Sequence, residues 1–502
     1  MKKRAIYICG ISLCSLSAIA SLILHLPAIF AAHQTHGYEK AMLITEMLTL
    51  LILSLFGIYF LSSQFFKDKI LNKTNRFMSS KTLLFTSVLF FTQILAFFFI
   101  AATNGYAFRS FVFQDAIDSY MDFFNSLYAG IASDGYNGGS IYPPICYVIY
   151  GVFSSLVPSE FFKNPSWRDA AFQIRNSQAG RIALIIFLVS AFIAFLYALF
   201  FAKKKFSVGA TMLFALTLVL SAPAIFAIER GNIILYSLPA IIFFVFGYNS
   251  ENKIIKELSL IALAFSTTLK IIPALFYLLL LCEKKYKEFL RAVVYAAVLF
   301  FIPFFYFGGF AHLPIFIKNV FSFGGGPSTP AALPNIPHVN TTSFSGALNF
   351  ISTALTGNFT TQSLHSRGAL IISLILLVAT FFTKGWRRIM CITLVLIGLF
   401  RSNTPYVMIY IFVPLIAFLD EDFSKQKWLD GIYMFLFLCM TVLFPSMNLL
   451  KIGKMPIWTL SQTSCPLLTI VIQNWALLLV AVILIIDIAT TFILRKIKKT
   501  QI

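Results

Sequence analysis

Residues 114–158 read QDAIDSYMDFFNSLYAGIASDGYNGGSIYPPICYVIYGVFSSLVP. Elsewhere the chain consists mostly of long apolar runs. Here three closely spaced carboxylates (Asp115, Asp118 and Asp122), several tyrosines and a Gly/Asn-rich turn lie together. A helix over 115–125 would put Asp115, Asp118 and Asp122 on one face, at i, i+3 and i+7. Tyr142-Pro143-Pro144 then opens a short apolar segment, since proline starts a helix well but sits badly inside one. That segment, 143–158, decides the topology. If it crossed a membrane, Lys203, Lys204 and Lys205 after the next apolar run would fall on the outer side, against the positive-inside bias. Laid along the outer surface as an interfacial helix, it restores the parity.

Composition supports this frame. Of 502 residues, 59% are hydrophobic and 12% charged, about half the charge of a soluble domain. Apolar runs of roughly 18 residues or more mark spanning helices. The reading is an all-α polytopic membrane protein with about 14 membrane segments, and no fewer than about 12. It forms a single integral-membrane domain over 1–502, with both termini cytoplasmic. The net charge of +20 belongs to cytoplasmic loops. No basic stripe interleaved with aromatics points to nucleic acid. The seven cysteines show no CxxC and no metal-ligand spacing. Nothing in their spacing pairs Cys146 with Cys465, although both suit the outer side.

Along the chain, Lys2, Lys3 and Arg4 precede an apolar run read as a retained helix rather than a signal peptide. With a second helix over 41–63 it makes an extra N-terminal pair, 1–80. A third helix over 82–103 delivers an outer loop, 104–180. The stretch 258–282, interrupted at Lys270 and Pro273, reads as two short helices meeting on the outer side. The stretch 389–419 reads the same way, turning at Arg401-Ser402-Asn403-Thr404-Pro405. An outer loop over 308–366 contains GGGPSTPAALPNIPH, whose Gly/Pro density argues against regular structure.

Polar groups converge near the outer face from five places: Asp115–Asp122, Tyr142, Glu229/Arg230/Asn232, Lys270 and Arg401/Asn403. Charges at or within a membrane are costly and often functional. A carboxylate can take a proton from a nucleophile, and Arg or Lys can hold a phosphate. Such a set suits an anionic, lipid-linked substrate. Blander readings stand beside it. Asp115 also suits a helix cap, and Asp118 and Asp122 a solvated face. Lys270 also suits snorkelling, Arg401 an interface anchor, and Tyr142, Tyr147 and Tyr150 an aromatic belt. Glu229 and Arg230 also suit a mutual pair, and Glu46 and Asp487 local polar partners.

Four segments, in this order, resemble the integral-membrane glycosyltransferases of the GT-C class, most closely family 87 (the DUF2029 group). They are Asp122-Phe123 with Tyr128-Ala129, Tyr142-Pro143-Pro144, Arg230-Gly231-Asn232, and Leu269-Lys270-Ile271-Ile272-Pro273. Arg230-Gly231-Asn232 stands where the family usually has Gly-Gln-x-Asn, so the Gln is missing. The resemblance implies a GT-C-like bundle with a core over 81–300 and C-terminal helices over 301–502. It implies transfer, with inversion, of a mannose-like hexose from a polyprenyl-phosphate donor to a lipid or glycan acceptor. The setting would be the outer face of a bacterial inner membrane. The catalytic base falls on Asp122, with Asp118 second. Tyr142, Arg230, Asn232, Lys270, Arg401 and Asn403 become substrate-binding residues. No cofactor is implied and no metal is required, although three aspartates could hold a divalent ion. The competing expectation is a transporter or flippase of a lipid-linked glycan, using the same cations to bind without chemistry.

Overall fold

The computed structural model describes residues 80–500, apart from 104, 106–107, 113–118, 132–135, 137–139, 164–165, 205, 326–340, 358–362, 401–403, 422–426, 445–450 and 457–465. The expected N-terminal helix pair with Glu46 therefore lies outside the described residues, as do Asp115, Asp118, Arg401, Asn403 and Cys465.

The described chain is helical, with one two-residue β-ladder pairing Lys451–Ile452 with Met455–Pro456. In chain order the helices used below are α1 (Ser80–Ala102), α2 (Met121–Ile131), α3 (Pro144–Ser154), α4 (Trp167–Asn176), α5 (Gln178–Ala202), α6 (Val208–Val219) and α7 (Ala222–Arg230). They continue with α8 (Ile234–Gly247), α9 (Lys253–Leu269), α10 (Tyr277–Cys282), α11 (Tyr286–Phe301), α12 (Leu313–Gly325), α13 (Phe344–Thr356) and α14 (Ser363–Phe382). The last four are α15 (Trp386–Gly398), α16 (Phe412–Asp420), α17 (Lys427–Thr441) and α18 (Leu468–Thr500).

Among the described residues, five helices are long and apolar enough to cross a membrane: Lys81–Ala102, Gln178–Ala202, Tyr286–Phe307, Leu364–Phe382 and Leu468–Leu494. Counting α6 with α7 as one broken span makes a sixth. The other apolar helices are shorter, because polar residues and prolines cut the runs. Lys270 ends α9 by taking an extended backbone, φ −143° and ψ 131°, and Pro273 opens the next turn. This is the interruption expected there. At 11 residues, α3 is about 16 Å long, roughly half the hydrocarbon thickness. The expected irregular loop over 308–366 instead carries two helices, α12 and α13, on either side of its Pro-rich run. Ser343 caps α13 by accepting the Gly346 N–H at 3.0 Å. Local capping thus outweighs the Gly/Pro signal outside the run itself.

The chain divides into two compact units. One comprises the described parts of Met1–Ala116, Leu199–Phe226 and His338–Ile502. Its core is aliphatic and aromatic, with α15 buried along its length from Arg388 to Gly398. Several charges in this unit are paired. Lys203, at the end of α5, donates to the Ile416 carbonyl at 2.9 Å and to Asp420 at 3.2 Å. Lys81 reaches Asp430 at 3.7 Å. Asp487 accepts from Arg387 at 2.7 Å and from the Tyr433 hydroxyl at 3.3 Å. It therefore satisfies local polar partners, the blander reading of its place in an apolar run.

The other unit comprises Ile117–Ala198 and Ala227–Pro337. Its centre is a ring cluster built on Phe123, which lies 4.8 Å from Phe187, 5.2 Å from Phe124 and 6.0 Å from both Tyr150 and Phe153, between centroids. Phe123 and Phe124 are fully buried. They anchor α2 in the core. Small residues bring α2 and α3 together. A Cβ at Gly130 would stand 2.9 Å from both the Gly151 nitrogen and the Tyr147 carbonyl. Ser154 ties the pair by donating to the Leu127 carbonyl at 2.8 Å.

Candidate active site

The site is built on the turn that enters α2. The helix expected to run from Asp115 through Asn125 is not continuous. Ser119 and Tyr120 form a turn, Tyr120 has φ +61°, and α2 begins at Met121. A positive φ in a bulky residue is rare and must be held by its surroundings. It is held here from the end of α7. The Tyr120 N–H donates to the Glu229 carbonyl at 2.7 Å, and the Ser119 hydroxyl donates to the Glu229 carboxylate at 3.0 Å. Burial, with the Glu229 charge adding to it, pushes the Tyr120 phenol up, so it stays protonated. Two residues on, Gly231 has φ +61°, and a Cβ there would come within 2.8 Å of the Phe123 Cβ. The turns at 119–120 and 229–232 are thus fitted against each other.

This fit places Asp122, in the first turn of α2, against two donors. Arg230 Nη2 donates to Asp122 Oδ1 at 2.5 Å, and Asn232 Nδ2 donates to Oδ2 at 2.6 Å. The side chains of Asp122 and Arg230 remain 17% and 24% exposed, so the pair is neither sealed nor fully solvated. Asn232 is buried. Its amide oxygen accepts the Ile234 N–H at 3.0 Å, which fixes the orientation of its NH2 group. That group also donates to the Tyr142 hydroxyl at 3.0 Å. Lys270 Nζ stands over the Tyr142 ring, 5.3 Å from its centre and within cation–π range. Asp122, Arg230, Asn232, Tyr142 and Lys270 therefore form one connected polar set. Arg230 reaches Asp122 while the Glu229 carboxylate takes Ser119, so the two neighbours do more than pair with each other.

The segment before α3 is fastened from α12. Asn319 donates to the Tyr136 carbonyl at 2.7 Å and to the Ser140 carbonyl at 3.0 Å. The Tyr136 hydroxyl donates to the Tyr142 carbonyl at 3.1 Å. The Cys146 thiol, which is free and buried, donates to the Leu269 carbonyl at 2.9 Å and joins α3 to the residue before Lys270. Sequence reasoning did not single out Ser119, Tyr136 or Asn319. A lone Asn within LPIFIKNVFSF was the one visible signal, since an amide in an apolar run needs a partner. Among the described residues, no group of three or more metal-ligating side chains forms.

The profile of glycosyltransferase family 87 matches residues 141–408, just over half of the chain. The chain belongs to glycosyltransferase family 87. Its activity is therefore glycosyl transfer, and its apolar helices are those of a multi-pass membrane protein. The matched stretch contains Tyr142, Arg230, Asn232, Lys270, Arg401 and Asn403. Asp122 lies before it and is joined to this family 87 region by the Arg230 and Asn232 contacts. No curated protein and no solved structure matches the chain.

Proposed function

We propose that this family 87 enzyme moves a mannose-like hexose from a polyprenyl-phosphate donor to a lipid or glycan acceptor. The reaction takes place at the outer face of a bacterial inner membrane, with both termini cytoplasmic. One observation carries the reading: a partly exposed carboxylate, Asp122, lies in one hydrogen-bonded set with Arg230, Asn232 and Tyr142, beside Lys270.

Asp122 accepts the proton of an acceptor hydroxyl. The acceptor oxygen forms a bond to the anomeric carbon while the bond from that carbon to the donor phosphate breaks. The bonding pair leaves with the phosphate, and the sugar is inverted. The departing phosphate gains negative charge, which Lys270 and Arg401 stabilise. Tyr142, Arg230, Asn232 and Asn403 frame the donor, and Asp118 supports orientation. A metal is not required where cationic side chains meet the growing charge.

The test incubates the purified full chain with labelled polyprenyl-phosphate mannose and candidate lipid and glycan acceptors. Release of polyprenyl phosphate together with labelled acceptor is expected. Movement of the labelled donor across proteoliposome membranes without transfer would overturn the reading in favour of a flippase.

A further inference from the structure

In the observed arrangement each oxygen of Asp122 already accepts a hydrogen bond. One of its oxygens takes an Arg230 N–H at 2.5 Å and the other an Asn232 N–H at 2.6 Å. A general base must come within hydrogen-bond reach of the proton it removes, and the Oδ1 lone pair aimed at Arg230 is already used. The two donors differ in how firmly they are set. Asn232 is buried, and its amide is fixed by the Ile234 N–H and shared with Tyr142. Arg230 is the last residue of α7, carries a long side chain, and is a quarter exposed. Its guanidinium is therefore open to a second anion.

We propose that Arg230 is a donor-operated latch on Asp122. The phosphate of the polyprenyl-phosphate donor draws Arg230 from Asp122 Oδ1, and the freed oxygen then accepts the acceptor's proton. This rests on the donor and base assigned above.

Three features support the exchange. The guanidinium matches phosphate oxygens as well as carboxylate oxygens, so one charge-assisted pair replaces another. A phosphodiester carries one negative charge, as the Asp122 carboxylate does, so the exchange of the two partners is charge for charge. Lys270 stands on the same polar set through Tyr142 and offers the phosphate a second cation. During transfer the anomeric C–O bond to phosphate breaks and its electron pair stays on the phosphate. Arg230 then faces a growing charge at the moment when Asp122 Oδ1 takes the proton. Asn232 keeps Oδ2, so Asp122 is oriented throughout.

The latch makes Asp122 and phosphate competitors for Arg230, which can be read by binding alone. The full chain in nanodiscs is titrated with tritiated undecaprenyl phosphate, with undecaprenol as the uncharged control. Asp122→Asn should bind undecaprenyl phosphate about tenfold more tightly than the unsubstituted protein, because the competing charge is gone. Arg230→Gln should bind about tenfold more weakly, and Arg230→Lys should recover part of that loss. Adding Asp122→Asn to Arg230→Gln should change nothing further. Asp122→Ser removes the same carboxylate and serves where Asp122→Asn shifts the melting temperature. Unchanged affinity in Asp122→Asn, or the same tightening with Arg230 absent, overturns the latch. Turnover is measured separately with a polyprenyl-phosphate hexose. Lost turnover with unchanged affinity overturns the latch alone. Normal turnover in Asp122→Asn overturns the assignment of the base, and the latch with it. Failure of every variant to bind undecaprenyl phosphate above undecaprenol overturns both the phosphate reading and the latch.

Discussion

Asp122→Asn is nearly isosteric and can still accept the Asn232 N–H, so the fold should persist. The proton acceptor is lost, and turnover should fall by a factor of roughly 10² or more, the usual scale for a general base. Initial rates at saturating donor, beside a thermal-shift trace, measure this. A near-normal rate would remove Asp122 from the chemistry. Lys270→Ala acts on binding instead. It should raise the donor KM by about tenfold, since a charged hydrogen-bonding partner of a phosphate contributes on that order. Lys270→Arg should keep part of the affinity. An unchanged KM in Lys270→Ala would leave Lys270 as an anchor on Tyr142. Gly231 belongs to the same scale. At φ +61°, and with a Cβ 2.8 Å from that of Phe123, Gly231→Ala should destabilise the protein by about 1–3 kcal/mol. The melting temperature should drop, and activity should fall with it because Arg230 and Asn232 flank the turn. An unshifted melting temperature would mean that the turn yields without cost.

At the scale of elements, α2 and α3 approach through Gly130, where a side chain would meet the backbone of α3. Backbone cannot move aside as a flexible side chain can, so Gly130→Ala should cost about 1–3 kcal/mol. Thermal unfolding in detergent reads it, and a stable Gly130→Ala protein would contradict the packing. A second device ties the end of α5 to α16. Lys203 is buried against the Ile416 carbonyl and Asp420. Desolvation pulls its amine from 10.5 down to about 8, against the opposing pull of Asp420. The unfolded chain therefore binds more protons than the folded one between those two values, and stability rises with pH across that window. Below about pH 8 this contribution is flat, with the charged amine at its full cost. The melting temperature should climb between pH 8 and 10 relative to Lys203→Met, which lacks the group. Parallel pH profiles in the two proteins would show that Lys203 does not titrate there.

For the whole molecule, topology follows from α3. A helix of about 16 Å cannot carry the chain across the membrane, so Ser140 and Ser159 should lie on the same side. Cysteines placed at each should both react with a membrane-impermeant thiol reagent added from outside. Labelling of one alone would mean that the segment crosses.

By itself the sequence determined that the protein is helical and membrane-embedded. Apolar content and run length are summed properties that survive any rearrangement of contacts. It also determined the interruption at Lys270 and Pro273, because a charged residue and a missing N–H break a helix wherever it packs. The Arg230-Gly231-Asn232 and Leu269-Lys270 elements pointed to the family, whose profile matches 141–408. Local pattern predicts a helix from Asp115 through Asp122, and the chain turns at Ser119 and Tyr120 instead. The turn at Ser119 and Tyr120 exists because Glu229, more than 100 residues away, accepts from both. Likewise, only tertiary structure could bring Asp122 to Arg230. Adjacent charges favour each other along the chain. In the fold, the left-handed turn at Gly231 and its packing on Phe123 set Asp122 in front of the guanidinium, and distance in space decides the pair.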